Sequence, residues 1–207
     1  DRLVSVAADG AAFAIKTVGI VQQYSTESGE PVGPSVSCGP EVPAIDYSPD
    51  GAFLALADGS KIRFLSRADS QEIASVDVDD PIADLAFSPS GGFLAVAMAT
   101  EVRFLNYPSG APVFEAVVHA QPLRHLAIDA GGHRLATVTS DNAIRMWDIE
   151  TGRLLSSEIR HPARIDDVAF DPLGRFLATA ATDALVSFWD IETGRPYGSP
   201  IPVPGVV

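Results

Sequence analysis

YSPDGAFLAL, Tyr47–Leu56, decides the fold, because the chain writes it five times in altered spelling. The other copies are VAADGAAFAI (Val6–Ile15), FSPSGGFLAV (Phe87–Val96), IDAGGHRLAT (Ile128–Thr137) and FDPLGRFLAT (Phe170–Thr179). Their turn glycines, Gly10, Gly51, Gly91, Gly132 and Gly174, stand 41, 40, 41 and 42 residues apart. A fixed period of that length is the signature of a repeat architecture. Each copy reads as strand, tight turn, strand. In Ser48-Pro49-Asp50-Gly51, proline presets φ at the second position and glycine tolerates the fourth.

A third apolar run follows in every period: GIVQQYS, KIRFLS, EVRFLN, AIRMWD and LVSFWD. Turn residues come next, TESGEP, RADSQE, YPSGAP, IETGRL and IETGRP, and a weaker fourth strand closes each unit. Short Val/Ile/Phe/Leu runs between turn signals favour strands, and no stretch has a helical period. Runs such as FLAVAM and FLATAA are small or apolar at nearly every position, which suits strands covered on both faces. Four-stranded sheets stacked radially supply that cover. The expected fold is therefore all-β, a β-propeller of four-stranded antiparallel blades. The repeats run over about 1–41, 42–80, 81–121, 122–163 and 164–207. Aligned on the period, Asp1 and Val207 both fall on the position of Ile165, so the segment is expected to belong to a larger propeller of about seven blades.

The totals bound the function classes. Of 207 residues, 46% are apolar and 20% charged, a globular composition. The formal net charge of −13 argues against nucleic acid or an anionic membrane as partner, since both reward Lys/Arg clusters. The single cysteine, Cys38, cannot form an internal disulfide. No apolar run reaches the roughly 18 residues of a membrane helix. A cytoplasmic location is the expectation.

The last two repeats resemble the WD40-repeat β-propeller family. Their third strands end in Trp147-Asp148 and Trp189-Asp190, and 28 residues upstream of each tryptophan stands a histidine, His119 or His161. The second strands offer Thr137 and Thr179, and the turns after them Asp141 and Asp183. The resemblance implies two hydrogen-bonded sets inside the blades: His119, Thr137, Asp141 and Trp147, and His161, Thr179, Asp183 and Trp189. Tyr24, Leu65 and Leu105 hold the tryptophan position in the first three repeats, and no histidine precedes them. Those blades are expected to rely on apolar packing alone. The wording TGRP with SPDG looks most like bacterial members of the family.

The chemistry-bearing residues point away from catalysis. His119, His125, His133 and His161 have spacings that match no compact metal-ligand pattern, so no metal and no cofactor is expected. The paired His, Asp and Thr resemble hydrolase triads in kind. They recur in register, as scaffold does, and the resemblance places them inside a blade. A propeller hydrolase or lactonase would need acids or histidines converging on the central channel, whereas first strands such as LAIDA and VAFDP are mostly apolar. Asp84, Arg124, His125, Arg164, Asp166 and Asp167 lie near the starts of first strands, and Ser140 and Thr182 precede the turn aspartates. Together these eight form the candidate partner-binding face. The expected function is a non-catalytic protein-interaction scaffold whose partner is a protein or peptide, with other domains of the parent chain as a possible source. The alternative is a regulatory or sensor propeller of a larger bacterial signalling protein, a kinase or nucleotide-binding NTPase.

Overall fold

A computed structural model describes residues 3–156 and 158–203. Its described residues form five four-stranded antiparallel sheets and no helix. The first sheet holds β1 (Leu3–Val6), β2 (Ala12–Thr17), β3 (Ile20–Ser25) and β4 (Pro31–Ser37). The second holds β5 (Ile45–Tyr47), β6 (Phe53–Asp58), β7 (Lys61–Ser66) and β8 (Glu72–Asp77). The third holds β9 (Ile82–Phe87), β10 (Leu94–Met98), β11 (Glu101–Leu105) and β12 (Pro112–Val118). The fourth holds β13 (Leu123–Ile128), β14 (Arg134–Thr139), β15 (Ala143–Asp148) and β16 (Ile159–Arg160). The fifth holds β17 (Ile165–Phe170), β18 (Phe176–Ala181), β19 (Leu185–Asp190) and β20 (Ile201–Pro202). In each sheet the strands pair in sequence order, the up-and-down meander of a propeller blade.

The quoted turns form as their residues require. Gly51 donates its N–H to the Ser48 carbonyl at 2.7 Å and sits at φ +65, where a side chain is strained. The Ser48 hydroxyl donates to Asp50 and accepts the N–H of Phe53, tying the turn to the start of β6.

Contacts divide the chain into two units, Asp1–Ala99 with Arg103–Val113, and Thr100–Val102 with Phe114–Val207. Each has its own apolar core. In the first unit, Ala14 and Val21 of the first blade pack with Tyr47, Leu54, Leu56 and Leu65 of the second. The other face of the second blade, Ala55, Ala57, Ile62 and Phe64, packs with Leu85, Phe87, Leu94 and Leu105 of the third. In the second unit, Ala136, Val138, Ile144 and Met146 of the fourth blade pack with Val168, Leu177 and Trp189 of the fifth. Strands buried on both sides follow from this stacking: β10 is buried at every position.

Candidate functional site

The expected four-member sets are built only in part. Trp147 donates its indole N–H to Thr137 Oγ1 at 2.9 Å, and Trp189 donates to Thr179 Oγ1 at 3.0 Å. The histidines pack against the tryptophans by their rings: His119 on Trp147 at 5.0 Å between centroids, His161 on Trp189 at 5.8 Å. Among the described residues, neither ring nitrogen of His119 has a hydrogen-bond partner, and His161 uses only Nδ1, within its own loop at Ala163. The aspartates turn elsewhere. Asp141 accepts from Thr139 Oγ1 at 2.7 Å, and Asp183 accepts the N–H of Leu185. The drawn hydrogen bonding is thus a Trp–Thr pair, used twice. The physical reason is reach: Asp141 is satisfied by the nearer Thr139 hydroxyl two residues away, and by Arg160 at 3.5 Å. Burial, with Arg145 nearby, pushes His119 down to about 4, so its ring is neutral.

The expectation of purely apolar packing in the first blades needs correcting. Asp46, in the middle of β5, reaches both neighbouring inner strands. Its Oδ1 accepts from Ser5 Oγ of β1 at 3.4 Å, and its Oδ2 accepts the backbone N–H of Phe87 of β9 at 2.9 Å. Ser5 Oγ in turn accepts the N–H of Tyr47 at 3.2 Å. One blade's side chain thereby accepts a backbone N–H of the next blade's inner strand. Burial pushes Asp46 up to about 6 against those hydrogen bonds. A second polar link runs through Gln23, which replaces the aromatic found at Phe64. Gln23 accepts from the Tyr47 hydroxyl at 2.7 Å and donates to Ser70 Oγ at 2.9 Å and to the Ser66 carbonyl. The sequence held one clue: Asp46 stands where the third, fourth and fifth repeats have Ala86, Ala127 and Ala169.

The eight residues of the candidate binding face are placed as follows. Asp84 lies in the first unit, on β9, and accepts the N–H of Leu85 at 2.8 Å. The other seven lie in the second unit. Asp167 repeats the Asp84 contact, accepting the N–H of Val168 at 2.8 Å. Arg124 and Asp166 are the extra residues of β-bulges, where the pairing skips from Leu123 to His125 and from Ile165 to Asp167. Bulges re-aim side chains, and they sit here at one repeat position. Arg164 pairs with Asp166 at 3.3 Å, and its carbonyl accepts the N–H of Thr182. Ser140 makes the same backbone bond to Pro122. Burial lowers the pKa of His125; Asp167 and Asp166 oppose that, and Arg124 and Arg164 add to it. His125 thus stands near Arg124, Arg164, Asp166 and Asp167, of which Arg164 and Asp166 form an ion pair. Arg164, Asp166, Asp167 and Thr182 are exposed.

Among the described residues, no three His, Cys, Asp or Glu side chains stand together as a metal site. Among the described residues no helix is long and apolar enough to cross a membrane. Residues 110–148 and 152–190 match the family described as WD domain, G-beta repeat. No curated protein sequence matches. Among solved structures, a chain of Kuenenia stuttgartiensis hydrazine synthase superimposes with a TM-score of 0.83 at 18% identity. The alignment covers 98% of this chain and 66% of that one. At that identity the likeness shows the fold alone, a β-propeller. With 1773 solved chains matching, the fold does not choose a function.

Proposed function

We propose, on the premise that the chain belongs to the WD40-repeat family by its two matching repeats, that it is a non-catalytic protein-interaction scaffold. The observation that carries this reading is the cluster His125, Arg124, Arg164, Asp166 and Asp167. It is charged, largely exposed and set on two bulged inner strands of rigid sheets. Rigid strands hold the loops and bulges at fixed positions, and a partner reads them. The exposed acids Asp166 and Asp167, in a chain of net charge −13, favour a basic peptide as the partner.

Selection of a random peptide library on the chain tests the reading. Enriched basic peptides that lose binding at least tenfold on Asp166→Asn with Asp167→Asn support it. Failure to enrich any saturable binder, or binders indifferent to both substitutions, refutes it. A parallel screen for hydrolysis of lactone and ester substrates at catalytic rates would overturn the non-catalytic half of the proposal.

A further inference from the structure

The third strands of the three middle blades carry an arginine at one repeat position, and each arginine meets a carboxylate of this chain. Arg63 meets Asp58 at 3.1 Å and Glu72 at 2.6 Å, Arg103 meets Asp79 at 2.8 Å, and Arg145 meets Glu158. In the fourth blade the set goes further. Arg145 also donates from Nη1 to Thr139 Oγ1 at 3.0 Å, and that hydroxyl donates to Asp141 at 2.7 Å. Arg160 pairs with both Glu158 and Asp141.

The fifth blade keeps this frame and loses the side chains that fill it. Its backbone pairing repeats that of the fourth: Leu185 faces Pro202 as Ala143 faces Arg160, and the bridge from Trp189 to Pro196 repeats that from Trp147 to Leu154. Ser187, Pro200, Ala181 and Pro202 therefore stand where Arg145, Glu158, Thr139 and Arg160 stand. Of the set, the aspartate stays, as Asp183. A cavity of about 250 Å³ opens at this place, within the second unit. Pro162, Trp189, Pro196 and Pro200 wall it, and Asp183 and Ser187 stand in its lining. Ser187 is 8% exposed, and its hydroxyl has no hydrogen-bond partner among the described residues. Asp183 accepts the N–H of Leu185 at 3.2 Å and has no ion pair among the described residues, whereas Asp141 has Arg160 at 3.5 Å.

We propose that this cavity takes the arginine side chain of a protein partner, which supplies from outside the guanidinium that Ser187 lacks. The fourth blade shows the fit, because its own Arg145 occupies the equivalent place and is one hydroxyl away from Asp141. With Ala181 in place of that threonine, an entering guanidinium meets Asp183 with no group between them. Its planar fork matches a carboxylate, and the bond is charge-assisted. The proline and tryptophan walls suit the three methylenes of the stem. An anionic side chain would meet the charge of Asp183, and an aliphatic one would leave Asp183 and Ser187 without partners. The volume falls below the roughly 300–1,000 Å³ of small-molecule sites, which suits a single side chain. The proposal rests on the scaffold reading only for the source of the arginine.

Titrating acetyl-arginine amide into the full chain, with the Trp189 indole N–H and the Ser187 and Gly198 amides followed by NMR, tests it. Saturable shifts are expected with a dissociation constant on the order of 1 mM, fitting for one side chain. Asp183→Asn keeps an oxygen for the Leu185 N–H, removes the charge, and is expected to weaken binding at least about tenfold. Ser187→Arg puts the arginine of the middle blades back into the cavity, leaves Asp183 in place, and is expected to do the same. Binding as tight by acetyl-lysine amide or acetyl-norleucine amide would overturn the ligand class. No saturable shift, or wild-type binding by either variant, would overturn the site. Asp166→Asn with Asp167→Asn should leave these shifts unchanged, and their loss in that variant would also overturn it. Peptide selection at Asp166 and Asp167 is a separate measurement, so either result can fail without the other.

Discussion

Replacing Asp46 by asparagine isolates the electrostatic cost of the link between inner strands. Asparagine keeps an oxygen to accept the N–H of Phe87 and a polar group beside Ser5, but it carries no charge at any pH. The aspartate is raised from 3.8 to about 6 by burial. A group whose folded pKa is raised binds its proton more tightly when folded. Its stabilising contribution is complete below about pH 4 and is lost as pH rises through about 6. A shift of roughly two units corresponds to at most about 3 kcal/mol. The variant should therefore match the wild type near pH 4 and exceed it in stability, by up to about 3 kcal/mol, at pH 7 and above. Both tryptophans lie in the other unit, so their fluorescence is a poor probe of this one. Hydrogen exchange of the β9 and β6 amides between pH 4 and 8, corrected for intrinsic rates, reads the first unit directly. A difference between variant and wild type that stays flat across this range would refute the reasoning.

The Trp–Thr pair can be split into ring and hydrogen bond. Trp189→Phe should cost about 1 kcal/mol for the lost bond to Thr179, and Trp189→Ala about 3–5 kcal/mol, both read from thermal melts; a Trp189→Phe variant as stable as the wild type would mean the bond contributes nothing, and equal costs would mean the ring packing contributes nothing. Gly33 and Gly19 both have positive φ, but a Cβ at Gly33 would lie 2.3 Å from the Asp69 carbonyl oxygen, and one at Gly19 meets open space. Gly19→Ala should then cost about 1 kcal/mol for backbone strain, and Gly33→Ala distinctly more, in urea unfolding. His119, pushed down to about 4, should stay neutral through pH 5–7, so its ring C–H signal will not move there. Its stabilising contribution is present above the unfolded value near 6.5 and lost as pH falls towards 4, opposite in sign to Asp46. Titration of that signal near 6.5 would contradict its burial.

The fold was legible because it depends on features that a period of about 41 repeats: turn glycines, strand length and two-sided apolarity. YSPDGAFLAL states turn and strands within ten residues, and the structure forms them locally. The placement of the candidate binding residues was less legible because it depends on pairing with neighbouring strands. Nothing in Arg124 or Asp166 announces a bulge, which arises where pairing to the adjacent strand slips by a residue. The partial His–Thr–Asp–Trp sets show the same limit. Equal spacings at 119–147 and 161–189 fix which side chains are near, whereas Asp141 chooses its partner by a hydroxyl two residues away.

The first blades replace the missing tryptophan sets by another device, and the repeat makes that device transferable. Ser5 and Asp46 occupy one register position, opposite Ala14 and Ala55, and each satisfies a backbone N–H of the next blade, Tyr47 and Phe87. In the second unit Ala127 holds that position, opposite Ala136, and Phe170 stands where Tyr47 and Phe87 stand, opposite Leu177. Alanine has nothing to offer the Phe170 N–H. Ala127→Ser should place a hydroxyl there as Ser5 does for Tyr47. The new bond should be worth about 0.5–1.5 kcal/mol and slow exchange of the Phe170 amide by up to roughly tenfold, without change in the amides of β18. If the fold is intact and the Phe170 amide exchanges at its original rate, the capping seen at Ser5 and Asp46 belongs to those two blades and is not a property of the repeat position.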